Sequence, residues 1–121
     1  MITILIGIII FYISSITFKP SLYLGEGISG IDIIYHISIF FFFSFFMLIS
    51  IVKGKKEYIF IVLTVLISII YGISDEMHQF FIMGRYTSIF DVFLNTIGIT
   101  FAALIYSIRI EFFKKFAYRK F

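Results

Sequence analysis

Apolar residues run along this chain in four long stretches, each closed by a short cluster of charged, glycine or proline residues. A helix that crosses the hydrocarbon core needs about 20 mainly apolar residues, within a range of roughly 17 to 25. Four segments answer to that length: Ile2 to about Phe18, closed by Lys19-Pro20; about Ile31 to Val52, with the run Phe40 to Phe43; about Tyr58 to Phe81; and about Ser88 to Ile108. A basic aromatic tail, residues 109–121, follows the last. β-Branched residues are frequent, but the length of the runs and the missing period-2 alternation predict helices rather than strands. The first run has no Lys or Arg ahead of it, unlike a secretory signal, and is expected to be a retained span. The pattern therefore predicts an all-α integral membrane protein, four transmembrane helices in one compact bundle, with residues 1–121 as a single domain.

Composition supports that reading. The chain has 121 residues, 61% of them hydrophobic, 21% aromatic and 14% charged, with mean hydropathy +1.11. A soluble domain of this size has too much surface per unit of core to hide so much apolar side chain, so the bilayer must be part of its solvent. There is no Cys, which excludes disulfide frameworks, thiolate metal sites and cysteine nucleophiles.

Charge placement sets the expected orientation. Lys53, Lys55 and Lys56 lie between the second and third spans, and Arg109, Lys114, Lys115, Arg119 and Lys120 lie in the tail, eight of the ten basic residues. Lys19 and Arg85 fall in the other two connections. This alternation predicts both termini in the cytoplasm. Glu26, Asp32, Asp75, Glu76 and Asp91 then fall near the outer ends of the spans, and Glu57 and Glu111 inside. The tail interleaves Phe112, Phe113, Phe116 and Tyr118 with Lys and Arg, a pattern suited to an anionic lipid surface rather than to nucleic acid.

The candidate chemistry lies at those outer ends. Asp32 and His36 are four apart on the second span and share a face. On the third, Gly72, Asp75, Glu76 and Gln79 stand at i, i+3, i+4 and i+7 and form one stripe, with His78 at its margin. On the fourth, Ser88, Asp91, Asn95, Gly98 and Ala102 repeat the pattern. Gly72, Gly98 and Ala102 are small enough to let backbones approach beneath the polar groups. A charge at the centre of a span costs about 2.5 to 3.5 kcal/mol on insertion scales, so carboxylates on three helices need partners inside the bundle. Asp32, Asp75, Glu76 and Asp91 face a single fixed cation, Arg85, so a proton, a cation or a protonated His is expected to join them.

The string Tyr71-Gly72-x-x-Asp75-Glu76-x-His78-Gln79-x-Phe81-x-x-Gly84-Arg85-x-x-Ser88-x-x-Asp91-x-x-x-Asn95-x-x-Gly98 resembles the signature of the VanZ-like family, small membrane proteins named from a teicoplanin-resistance determinant. Asp32-x-x-x-His36 is similar to the family's Asp-Lys-x-x-His element, and Phe11 to Ser15 to its first-helix ending. The resemblance spans almost the whole chain. Met83 stands where the family usually has Pro before Gly-Arg, and Ile33 where it has Lys after Asp. The first makes the turn less rigid and the second removes a cation. The resemblance implies an envelope-related membrane protein and, for the named member, reduced susceptibility to teicoplanin.

Three functional classes remain open. In the first, an outward-facing site binds an anionic lipid or glycolipid headgroup, such as a lipid-linked envelope precursor: Arg85 grips the anion, and Gln79, His78, Ser88, Asp91, Asn95 and Asp32 line the site. In the second, a membrane enzyme uses Glu76 or Asp75 as general acid or base and His36 oriented by Asp32; no nucleophile motif and no phosphate-cradling Gly-rich loop accompanies them. The third is a proton- or cation-coupled carrier, which four short spans would support only as an oligomer, a state the sequence leaves open. No cofactor is expected. A metal set drawn from Asp32, His36, Asp75 and His78 has permissible donors, but His78 points away from the stripe, so no metal is expected either. Against all three stands a purely structural use of the same residues: Asp91, Asn95 and Gly98 locking the fourth helix, Arg85 neutralising Asp75 or Glu76, and Asp32 capping the second helix.

Overall fold

The computed structural model describes residues 1–16, 30–53, 58–85 and 87–118. Among these the chain forms four helices and no strand: α1 (Ile2–Ser14), α2 (Gly30–Val52), α3 (Tyr58–Phe80) and α4 (Ile89–Tyr118). Lys19, Glu26, Lys55, Lys56, Glu57, Arg119 and Lys120, used above to orient the chain, lie outside the described residues.

The spans α2, α3 and Ile89–Phe113 are long and apolar enough to cross a membrane. The first helix differs from expectation. Its 13 residues rise about 20 Å, short of the roughly 30 Å hydrocarbon core. Described helix stops at Ser14, where the Ser15 amide is shared between the carbonyls of Phe11 and Tyr12 and the Ile16 amide bonds to Ile13 at 3.1 Å, a tightened last turn; residues 17–18 of the expected span lie outside the described residues. The tail also differs. Residues 109–118 are not a separate surface segment but the last turns of α4, because neither Gly nor Pro interrupts the chain there, and Arg109 stacks over the Phe113 ring, 5.6 Å from its centroid, one turn on.

Lipid tails are as apolar as Leu, so helices in a bilayer associate through close packing and interhelical hydrogen bonds rather than hydrophobic transfer. Both are present. The closest pair is α2 and α4, and Gly98 is the reason: a Cβ there would collide with the Ile37 carbonyl oxygen and stand 3.0 Å from the Phe41 amide nitrogen. Gly72, under the Phe40 ring and beside Asn95, makes a similar but looser seat for α3. One core cluster, Ile10, Phe40, Phe43 and Ile99, sits beneath the polar end; the other, Leu48, Val52, Ile61, Ala102, Tyr106 and Ile110, fills the opposite half. α1 leans on α2 and α3, held where Tyr71 stacks on Phe43 at 4.7 Å and donates its hydroxyl hydrogen to the Gly7 carbonyl at 2.8 Å. Large apolar side chains such as Leu5, Ile8, Phe42, Ile70, Phe93 and Leu104 cover the outside, as a lipid-facing surface requires. Several helix hydroxyls bond to their own backbone four residues earlier, Thr64 to Phe60 and Thr96 to Val92 among them, which satisfies those hydroxyls without water.

The up-and-down order brings the end of α1, the start of α2, the end of α3 and the start of α4 together. Between the last two, Phe81, Ile82 and Arg85 bond back to His78, Gln79 and Ile82. Gly84 sits at φ 83°, a left-handed conformation that glycine adopts without a Cβ penalty. This turn aims Arg85 at α1.

Candidate functional site

The buried face of α3 is Ile61, Thr64, Ser68, Gly72, Asp75, Glu76 and Gln79, so the stripe expected from helical spacing is the face that packs. It does not serve one site. A step of one residue turns a helical side chain by about 100°, and adjacent Asp75 and Glu76 enter different interfaces.

Asp75 faces α1. Ser14 donates its hydroxyl hydrogen to Asp75 Oδ1 at 2.6 Å, and Gln79 Nε2 donates to Asp75 Oδ2 at 3.1 Å and to Ser14 Oγ at 3.2 Å. All three side chains are buried, and they complete one another. Alongside, His78 Nε2 lies 3.0 Å from Ser15 Oγ and its ring stacks on Phe11 at 4.5 Å. Arg85 closes this edge by donating from one terminal nitrogen to the carbonyls of Ile16 at 3.2 Å and Ile13 at 3.4 Å, just past and within the last turn of α1. The Arg85 charge also acts on Asp75, Glu76 and Asp91.

Glu76 faces α2 and α4. His36 Nδ1 lies 2.9 Å from Asn95 Oδ1 and 3.9 Å from Glu76 Oε1, while His36 Nε2 lies 4.0 Å from Asp91 Oδ1. A carbonyl oxygen only accepts, so Nδ1 carries the hydrogen and donates it to Asn95. Glu76, 5% exposed, and Asn95, 1% exposed, are deep in the bundle, yet Glu76 Oε1, Glu76 Oε2 and Asn95 Nδ2 have no hydrogen-bond partner; the Tyr35 hydroxyl, near Asp75 and Arg85, has none either. His36, Glu76 and Asp91 each offer one donor atom within 4.8 Å of the other two. Asp32, in the first turn of α2, is close enough to act on the charge of Asp91.

The residues named from the sequence therefore divide. His36, Glu76, Asp91 and Asn95 come together, with Asp32 at their rim. Asp75, Gln79 and His78 belong with α1. Ser88 caps α4, its Oγ accepting from the Phe90 amide at 3.1 Å, and Arg85 caps α1. Among the described residues Asp75 and His78 do not group with His36 closely enough to share an ion, so the metal set considered above is not assembled; the set that is assembled has Glu76 and Asp91 in their place. Sequence reasoning missed Ser14, Ser15 and Tyr35. The first two carried a signal, a pair of hydroxyls closing an otherwise apolar first run; Tyr35 carried none, being one aromatic among many. Toward the opposite half the buried polar residues among those described are Ser44, Thr64 and Ser68, with no buried carboxylate or histidine.

The model of the VanZ/LLP1 family matches residues 1–110 of the chain, a stretch that contains both clusters and the Arg85 turn. No curated relative and no solved structure matches it. With 110 of its 121 residues inside one family model, the chain belongs to the VanZ/LLP1 family.

Proposed function

We propose that the protein is a multi-pass protein of the cell membrane, both termini cytoplasmic, whose outward-facing polar end binds the headgroup of an anionic lipid or glycolipid of the envelope. The observation that carries this reading is Glu76, a carboxyl buried among three helices with neither oxygen partnered. A buried polar group left unmatched costs about 1 to 3 kcal/mol, more when charged, and the neighbouring Asp75, as deeply buried, has a partner for each oxygen. Headgroup hydroxyls supply the donors that Glu76 lacks, Asn95 Nδ2 supplies a donor in return, and the Arg85 charge at the same end favours an anion. Teicoplanin susceptibility, the phenotype that the family resemblance implies, fits a protein that engages envelope precursors at this face.

The test is native mass spectrometry of gently solubilised wild-type protein beside Glu76→Gln and Arg85→Ala. A defined anionic lipid retained by wild type and lost in Glu76→Gln supports the reading, whereas no adduct in any sample overturns it. Should Glu76→Gln keep the lipid but abolish its conversion, the protein is an enzyme on that lipid, with Glu76 as its acid or base.

A further inference from the structure

We propose that His36, Glu76 and Asp91 form a binding site for one divalent transition cation, with zinc or manganese as the chemistry that fits, and that the open coordination position of the ion takes an oxygen of the headgroup. The second half rests on the headgroup reading; the first stands without it.

Donor type is the first argument. One imidazole nitrogen and two carboxylates suit borderline divalent cations such as Zn²⁺ and Mn²⁺. Three protein ligands, one short of a closed tetrahedron, are the number that leaves a position for water or substrate.

The state of the imidazole is the second. A histidine that binds metal through one nitrogen commonly donates the hydrogen on the other to a fixed acceptor, which sets its tautomer and ring orientation. His36 has that acceptor: Nδ1 donates to Asn95 Oδ1 at 2.9 Å, which leaves the lone pair of Nε2 on the side of Asp91, 4.0 Å away.

Geometry is the third. Metal–ligand bonds of about 2.0 to 2.2 Å place neighbouring donors roughly 3.0 to 3.5 Å apart. One ring nitrogen of His36 and one oxygen each of Glu76 and Asp91 lie within 4.8 Å of one another; Asp91 stands on the Nε2 side at 4.0 Å and Glu76 on the Nδ1 side at 3.9 Å, so binding requires the Glu76 carboxylate to swing toward Nε2.

Charge completes the case. Glu76 has two unpartnered oxygens in a site 5% exposed, and Asp32 adds a further negative charge near Asp91. Arg85, the cation of this end, spends two of its hydrogen bonds on α1. A divalent ion balances Glu76 and Asp91 where Arg85 does not reach them by hydrogen bond. It also removes the mismatch in placing an anionic headgroup beside carboxylates, since the headgroup oxygen then meets a cation, and the second Glu76 oxygen stays available to a hydroxyl.

The experiment is titration of chelator-treated, detergent-solubilised protein with Co²⁺ as a spectroscopic stand-in, together with total metal analysis of protein purified without chelator. Wild type is expected to bind one equivalent of Co²⁺ with visible d–d bands and to melt at a higher temperature as the ion is added. Glu76→Gln and His36→Ala are expected to lose those bands, and Asp91→Asn, half-buried and so the gentlest change, to bind at least tenfold more weakly while keeping its helix content by circular dichroism. Failure of folded wild type to take up one equivalent overturns the proposal, as does uptake that survives all three substitutions or that follows His78→Ala instead. Uptake without lipid retention leaves the metal site standing and removes the headgroup reading; lipid retention without uptake does the reverse.

Discussion

Asp75 and Glu76 are neighbours in sequence, both buried, both carboxylic acids at one end of one helix, and they have been treated in opposite ways. Around Asp75 the bundle is finished: Ser14 and Gln79 donate to its two oxygens and bond to each other. Around Glu76 it is not, with both oxygens and the Asn95 amide nitrogen unmatched. The cost of a buried polar group falls mainly on those left unmatched, so the first cluster joins α1 to α3, while the second holds its helices at some expense. Proteins concentrate such expense where a ligand is to be met. The difference between the two carboxyls is the physical basis for reading one as structure and the other as function.

The largest test of that contrast is Gly98→Ala. The added methyl would meet the Ile37 carbonyl and the Phe41 amide, backbone atoms that move only if α2 and α4 separate. Overpacking of this kind costs about 3 kcal/mol. Because the separation pulls His36 from Asn95 while leaving the α1–α3 contact alone, unfolding in mixed micelles should show a large loss of stability together with loss of bound lipid and metal. Ligand retained despite a large loss of stability would show that the α2–α4 approach does not position the site, and full stability would show that the two backbones are not in contact at Gly98. Next in size is Asp75→Ala, which strands Ser14 and Gln79 and should cost about 2 kcal/mol. Proteolysis at the end of α1 would report it, and metal binding at His36 should survive; if it does not, the two clusters are one.

Glu76→Met reverses the sign. Replacing a buried, imperfectly matched carboxyl by an apolar side chain of similar length is often stabilising, by about 1 to 2 kcal/mol where the site packs well. The ligand-free variant should therefore melt above ligand-free wild type while binding nothing. A variant that melts lower would mean that Glu76 contributes to folding as Asp75 does, and the contrast would collapse.

Much of this was legible in the sequence, and the reason is periodicity. Run length placed α2 and α3 within a residue of their observed ends, and the i, i+3, i+4, i+7 rule found the buried stripe of α3. Gly98 and Ala102 were legible as close-approach positions because little else explains small residues at that spacing under a polar group. Two things were not. A stripe gives a face but not the partner helix, so the 100° between Asp75 and Glu76 could be assigned to two interfaces only once α1 was seen to lean on α2 and α3. Arg85 was half legible for a related reason: its place as a cation among acids could be read, whereas its hydrogen bonds to the backbone of another helix depend on the left-handed Gly84.

Arg85→Ala is the smallest expected effect and the one that sharpens the division of labour most. The guanidinium donates to the Ile13 and Ile16 carbonyls from one nitrogen at 3.4 and 3.2 Å, contacts of modest geometry worth about 1 kcal/mol together. Loss should appear as faster hydrogen exchange at the end of α1 rather than as a lower global stability, because α1 packs on the bundle through Phe43 and Tyr71 as well. Arg85→Lys separates the two tasks: a lysine keeps the charge that acts on Glu76 and Asp91 but not the planar fork. If the charge is what matters, Lys restores lipid retention without restoring slow exchange at Ile13 and Ile16. If the cap is what matters, Lys restores neither, and Arg85 belongs with Ser14, Asp75 and Gln79 on the finished side of the bundle.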